Sequence, residues 1–282
     1  MPELPEVECL TLAVRSVLEG RTISEAQFHR SDLRWPIPTQ DFTKFLVGSP
    51  VLRVRRRSKY MLVETEKGCG IFHLGMTGNL LLSDTRESKW KHTHASFQVK
   101  SDGANHEKDF YLHFVDPRRF GCILACEAAQ IETHDLLRKL GPEPLDISPE
   151  ELAEHLWQKS RGKTVVVKNF LMDAHIVVGV GNIYANESLF RAAVRPTRPA
   201  QRVKRLEWTM IALEIQKVLR EAIAAGGTSF RDYKHADGEP GYFELRLLVY
   251  GREGEACRSC GTIIKHKKIG GRATFYCPHC QF

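Results

Sequence analysis

What the chain lacks narrows its class first. No run of about 18 apolar residues occurs, so nothing in the sequence is built to span a bilayer as a helix. The opening residues are acidic and proline-bearing, without the basic stretch and apolar core of a secretory signal, and a cytoplasmic protein is expected. A disulfide framework is missing: Cys9, Cys69, Cys122 and Cys126 are scattered through apolar or strand-like contexts, as buried reduced thiols are. A dinucleotide fingerprint is missing too, because Val178-Gly179-Val180-Gly181-Asn182-Ile183-Tyr184 lacks the third glycine, a fitting strand and an acidic partner. Acid is in deficit, with 34 Asp+Glu against 41 Lys+Arg and a net charge of +7. An anionic partner is therefore favoured, nucleic acid foremost.

What is present starts at the first residues, Met1-Pro2-Glu3-Leu4-Pro5-Glu6-Val7-Glu8. Removal of Met1 exposes Pro2 as a secondary amine, and an α-amino group titrates near ~8, so at neutral pH a useful fraction can attack a carbonyl carbon and form a Schiff base. Glu3 is one residue away and can exchange the protons such an attack requires. The bland alternative is a helix start with Pro5 at the first helical position, and both can hold.

At 282 residues there is material for two domains or one large one. Val7, Leu10, Val14, Val17 and Leu18 recur at helical spacing up to Gly20. From about Arg21 to Cys126 the pattern changes to short β-rich runs, at 51–54, 60–65, 70–74, 79–82, 95–99, 110–115 and 122–126, which imply a β-sandwich or barrel-like domain. Beyond Gly141-Pro142-Glu143-Pro144 the helical period returns: a capping box at Ser148-Pro149-Glu150-Glu151 opens a helix to about Ser160. Further helices are predicted at Asn182–Ala192 and about Lys204–Ala225, the latter with a core stripe of Met210, Ile211, Ile215, Val218, Leu219 and Ile223. Gly226-Gly227 ends it, and a Gly/Asp/Pro-rich loop follows to Gly241.

Three patterns carry chemistry. Cys257-x2-Cys260 and Cys277-x2-Cys280, sixteen residues apart, have the spacing of two knuckles holding one tetrahedral Zn²⁺ with four thiolates, a closed and structural site in which His279 is a bystander. The span between them, with Lys265, His266, Lys267, Lys268 and Arg272, reads as a β-hairpin with a basic face suited to phosphates. The glycine turn before Asn182 presents backbone amides and a helix N-terminus to an anion. Arg53, Arg55, Arg56, Arg57 and Lys59 are expected to be mostly solvated, whereas the turn Asp116-Pro117-Arg118-Arg119-Phe120-Gly121 puts arginines beside an aromatic ring, a combination that enters base stacks.

Taken together, Pro2 to Glu8, Lys59-Tyr60, His73-Leu74-Gly75-Met76-Thr77-Gly78, Asp116 to Gly121, Val178 to Tyr184, Ala236-Asp237-Gly238 with Pro240-Gly241-Tyr242-Phe243, and the terminal cysteines resemble the bacterial formamidopyrimidine-DNA glycosylases, end to end. The related endonuclease VIII group usually has glycine where this chain has Leu4, which favours oxidised purines, 8-oxoguanine and formamidopyrimidines, over oxidised pyrimidines. The resemblance implies an α+β protein. An N-terminal β-sandwich with a leading helix (1–132) would be followed by a helix-two-turn-helix domain (133–226), a lesion-recognition loop and linker (227–247) and a zinc finger (248–282), with DNA in a cleft between the halves. It implies a bifunctional glycosylase and abasic-site lyase, a monomer acting on double-stranded DNA, with one structural Zn²⁺ as cofactor. Pro2 would be the nucleophile and Glu3 the acid. Lys59 would serve the lyase step and Arg272 the second elimination. Met76, Arg118 and Phe120 would fill the gap left by the everted base, and His73, His92, Lys163, Lys168 and Asn182 would contact DNA. A zinc-stabilised DNA-binding protein without catalysis is the competing reading; it leaves Pro2-Glu3 unexplained.

Overall fold

The computed structural model describes residues 2–101, 109–227 and 247–282. The chain divides into two compact units, Met1–Arg138 with Gly226–Tyr242, and Lys139–Ala225 with Phe243–Phe282.

The first unit opens with α1 (Leu4–Leu18), which buries Val7, Leu10, Val14 and Leu18 along one face. It starts one residue before Pro5, so proline occupies the second helical position, and Glu3 is the N-cap of a reciprocal capping box with Glu6. Among the described residues eight strands follow: β1 (Ile23–Phe28), β2 (Arg53–Arg57), β3 (Tyr60–Glu64), β4 (Gly68–His73), β5 (Asn79–Ser83), β6 (Thr93–Val99), β7 (Phe110–Val115) and β8 (Cys122–Glu127). They pair antiparallel into two four-stranded sheets, ordered β1-β6-β7-β5 and β2-β3-β4-β8. The inner faces share one apolar core, in which Phe97 of the first sheet lies 5.8 Å from Phe72 of the second and 5.1 Å from Phe42.

Phe42 comes from α2 (Thr39–Leu46), a helix not expected from the sequence. It is only two turns long, and Phe42, Phe45 and Leu46 show the 3.6 period too briefly to stand out among strands. β1 also escapes the sequence pattern, because its faces are only partly buried and its alternation is weak. β2 lies two residues beyond its expected place and runs through the arginines, which are not mostly solvated. Arg55 Nε donates to Glu64 Oε1 at 2.6 Å, and the nearly buried Arg56 donates to Glu8 Oε2 of α1 at 2.6 Å. Carboxylates on neighbouring elements make a charged strand tenable.

The second unit is helical: α3 (Pro149–Ser160), α4 (Val167–Leu171), α5 (Asn182–Arg191) and α6 (Arg205–Ala224). The Ser148/Glu151 capping box forms as expected, with Glu151 N donating to Ser148 Oγ at 3.2 Å and Ser148 N to Glu151 Oε2 at 2.9 Å. On α6 the buried stripe is Trp208, Ile211, Ala212, Ile215, Val218, Leu219 and Ala222; Met210 is exposed and Ile223 half-buried, so the core face is rotated slightly from the expected one. α4 is a single short turn that sequence periodicity does not reveal. The unit ends in a hairpin of β9 (Lys265–Ile269) and β10 (Arg272–Tyr276). Among the described residues no helix is long and apolar enough to cross a membrane. The expected loop from Thr228 to Gly241 lies outside the described residues.

Candidate active site and DNA-binding residues

Pro2 and Glu3 are both buried at the head of α1. Glu3 N donates to Glu6 Oε2 at 2.8 Å, and the Glu3 side chain accepts from the Glu6 backbone. This reciprocal pair pins the terminal dipeptide to a helix whose apolar face sits in the sandwich core. Glu6, 2% exposed, is not among the residues singled out from the sequence; the acidic residue three positions after Glu3 is the available signal. Gly227 approaches Glu6 closely, a Cβ there meeting Glu6 Oε1 at 3.2 Å.

Lys59 lies in the two-residue turn between β2 and β3, after Ser58, whose φ is +57°. Its neighbour Tyr60 faces His73 across β3 and β4, rings 5.0 Å apart. His73 Nδ1 accepts from Gly75 N at 3.0 Å, which leaves the ring proton on Nε2. Burial, then the charges of Lys59 and Arg34, push the His73 imidazole down to about 4, so it is neutral at physiological pH.

The wedge candidates come from two loops that one buried carboxylate joins. Asp116, fully buried, accepts from Thr77 Oγ1 at 2.6 Å and Gly121 N at 2.8 Å, and more weakly from Arg118 N at 3.3 Å. The loops also touch backbone to backbone: a Cβ on Gly75 (φ +61°) would lie 2.3 Å from the Phe120 carbonyl carbon. Met76 is thus held beside the turn carrying Phe120, which is 47% exposed, with the Arg118 guanidinium 4.9 Å over its ring. His92, exposed with φ +65°, accepts from Asp116 N at 3.1 Å through its carbonyl. Asp116 stands in the sequence motif without a role there. Its part as the tie between the loops depends on contacts 39 residues apart, which spacing does not report.

In the second unit Gly181 caps α5, and Asn182 at its head has a buried Oδ1 with no hydrogen-bond partner. Lys163 and Arg272 are exposed. Lys168 corrects the expectation of a DNA contact: it is fully buried, and its Nζ donates to Ala273 O at 2.8 Å and Thr274 Oγ1 at 2.7 Å. The Nζ held there faces the hairpin, not solvent.

The sulfurs of Cys257, Cys260, Cys277 and Cys280 all lie within 4.8 Å of one another, and His279 is not among them. Cys260 and Cys277 are 3.5 Å apart and Cys257 and Cys280 4.0 Å. Tetrahedral Zn–S bonds of ~2.3 Å place thiolates ~3.8 Å apart, so the cluster fits one Zn²⁺.

Family models cover most of the chain: the formamidopyrimidine-DNA glycosylase N-terminal domain matches residues 1–123, the H2TH domain of the same enzymes residues 140–234, and the zinc finger found in FPG and IleRS residues 254–281. The formamidopyrimidine-DNA glycosylase of Pseudomonas savastanoi pv. phaseolicola is 44% identical over 281 residues, and that of Acidithiobacillus ferrooxidans 46% over 282, each covering 100% of both chains. Among solved structures, the MutM (Fpg) protein of Thermus thermophilus superposes with a TM-score of 0.85 at 35% identity, over 99% of this chain and 98% of that one. A Lactococcus lactis Fpg mutant in complex with Fapy-dG containing DNA gives 0.86 at 30% identity, over 99% of both. The family models, the relatives and the shared fold together place the chain among the zinc-finger DNA glycosylases of base excision repair. The chain belongs to the formamidopyrimidine-DNA glycosylase family.

Proposed function

We propose that the chain excises oxidised purines from duplex DNA and then cleaves the resulting abasic site, through a Schiff base on Pro2. The observation that carries this reading is the buried Pro2-Glu3 terminus, fixed by the Glu3–Glu6 box at the head of α1. With Met1 removed, Pro2 would present a secondary amine at this fixed position, for which a protein that only binds DNA has no use. Similar proteins support the substrate class: Lactococcus lactis Fpg is solved with Fapy-dG and with abasic-site DNA, and MutM with carbocyclic 8-oxo-G containing DNA.

The chemistry follows from the groups available. With Met1 removed, the Pro2 nitrogen attacks C1′ and gives up its proton as the base leaves with the bonding electrons, and Glu3 supplies a proton to O4′ as the C1′–O4′ bond opens. The product is an iminium between Pro2 and C1′. Loss of a C2′ proton then breaks the C3′–O bond, and loss of a C4′ proton breaks the C5′–O bond; each departing phosphate carries away the bonding electrons. Water adds to C1′ of the remaining iminium, which restores the carbonyl there and frees the Pro2 amine. Lys59 serves the first elimination and holds a phosphate, and Arg272 assists the second. His73, with its proton on Nε2, is suited to donate to a DNA phosphate oxygen.

Reaching C1′ requires the nucleotide to leave the stack, at a cost of a few kcal/mol. Met76, Arg118 and Phe120 offset that cost by filling the gap, held as a set by Asp116. His92, Lys163 and Asn182 grip phosphates; the side-chain amide of Asn182 and the helix start it occupies suit an anionic backbone. Zn²⁺ on the four cysteines fixes the finger and takes no part in bond breaking.

A second reading, oxidised-pyrimidine excision, is kept in view by a Lactococcus lactis Fpg complex with oxidised pyrimidine containing DNA. Single-turnover excision on duplexes bearing 8-oxoguanine opposite C, opposite A, and an oxidised pyrimidine decides between them. The purine reading expects 8-oxoguanine opposite C to be released at least tenfold faster than the pyrimidine; the reverse order would replace it.

A further inference from the structure

Fully buried side chains on α4 and α5 reach into the zinc-finger segment of the same unit. Glu187 accepts from Leu248 N, Val249 N and Tyr250 N at 2.9, 3.0 and 2.9 Å, which fixes where the segment enters. Lys168 holds the hairpin at Ala273 and Thr274. The hairpin turn itself presses on α4, a Cβ at Gly270 falling 2.5 Å from Asn169 Nδ2. Asn186 differs from these in bonding both the head of α5 and strand β10. Its Oδ1 accepts from Phe275 N on β10 at 2.8 Å, and its Nδ2 donates to Asn182 O in the first turn of α5 at 2.6 Å.

We propose that Asn186 is a positioning residue that couples the start of α5 to the hairpin bearing Arg272, so that Asn182 and Arg272 meet the DNA backbone as one preset pair. The inference rests on the phosphate and elimination roles given above to those two residues. The physical reason is the amide's two-sided chemistry: one acceptor and one donor, on a fully buried side chain, satisfy a strand N–H and a helix carbonyl that are distant in sequence. Phe275 lies on the same five-residue strand as Arg272, which opens it, so a shift of the strand moves Arg272 relative to Asn182. Small misplacements of a positioning group cost rate out of proportion to stability. Zinc sets the shape of the finger; Asn186 ties strand β10 to the head of α5.

The test compares wild type, Asn186→Ala, Asn186→Asp and Arg272→Ala on an abasic-site duplex, with zinc content and melting temperature recorded for each. Two quantities are read: the ratio of second- to first-elimination product, and the slope of log affinity against log salt. Asn186→Ala is expected to keep its zinc, lower the product ratio about tenfold, and flatten the slope by about one contact, as Arg272→Ala does. Adding Arg272→Ala to Asn186→Ala should change little more, since both remove the same contact. Asn186→Asp keeps the acceptor for Phe275 N–H but replaces the donor to Asn182 O with a carboxylate oxygen, so it too should lower the ratio, and it serves where the alanine variant fails to load zinc. A zinc-loaded Asn186→Ala or Asn186→Asp with wild-type ratio and slope overturns the inference alone. Wild-type behaviour in Arg272→Ala overturns the role of Arg272 and takes the inference with it.

Discussion

His73 shows how single residues are tuned here. Burial is the largest cause of its lowered pKa and the Lys59 charge the second, so Lys59→Met should raise the titration midpoint from about 4 towards the ordinary value near 6.5, read by NMR of the ring protons. A midpoint unmoved by the loss of Lys59 would separate the two residues. The same shift has a stability consequence. Above pH ~6.5 the ring is neutral folded and unfolded and contributes nothing; as pH falls from there towards 4 the unfolded chain takes up the proton first, and stability is lost. His94 and His113, also lowered chiefly by burial, act in the same direction. The urea midpoint should therefore fall between pH 6.5 and 4, less steeply in His73→Asn. Lys168 makes the complementary point. Its positive charge and place in the sequence suggest phosphate, yet its burial is decided by Ala273 and Thr274, over a hundred residues away. Lys168→Ala should cost about 2–4 kcal/mol of stability through lost packing and orphaned acceptors, without removing a salt-dependent contact.

Among the elements, the loops at 74–78 and 116–121 are tied together because Asp116 bonds both, and the proposed function has them enter the duplex as one wedge. Phe120→Ala or Met76→Ala should slow excision of 8-oxoguanine by about tenfold or more while cleavage of a pre-formed abasic site changes little, since an abasic nucleotide has less stacking to lose. Equal losses on both substrates would assign these residues to general binding. The hairpin β9–β10 depends on metal: chelation or Cys277→Ser should unfold it and abolish duplex binding, because structural zinc contributes directly to folding free energy. Full duplex affinity in metal-free protein would contradict this. The long helices and most strands were legible in the sequence, because α1, α3, α5 and α6 run for ten residues or more and carry caps or a clear period. Short α2 and α4 were not, nor was the start of α1 at Leu4, where the cap is a glutamate instead of the usual short hydroxyl or amide side chain.

Across the whole molecule, net charge +7 states the partner class while leaving the contacts unnamed. The wedge and Pro2-Glu3 lie in one compact unit, and the Asn182 turn, Arg272 and zinc finger in the other. Motifs in the sequence marked nearly all of these positions. The residues that hold them in place, Glu6, Asp116, Asn186 and Glu187, were silent in that sense, because their meaning lies in partners distant along the chain or in buried backbone groups. Arg272→Ala and Asn182→Ala should weaken binding to damaged and undamaged duplexes alike, by about tenfold each at moderate salt, as phosphate contacts do. A loss confined to damaged duplex would move either residue to lesion recognition.

Borohydride trapping on an abasic duplex tests whether the amine of Pro2 is the nucleophile. A chain that retains Met1, or carries one added residue before Pro2, has a tertiary amide in place of the nucleophile. Glu3→Gln keeps the side-chain acceptor that caps α1 and should lose excision of 8-oxoguanine while still trapping on the abasic site, where no base remains to be expelled. The blocked chain should bind the abasic duplex with nearly unchanged affinity and give no covalent adduct. Trapping by the blocked chain at the wild-type level would make a lysine such as Lys59 the nucleophile and contradict the account.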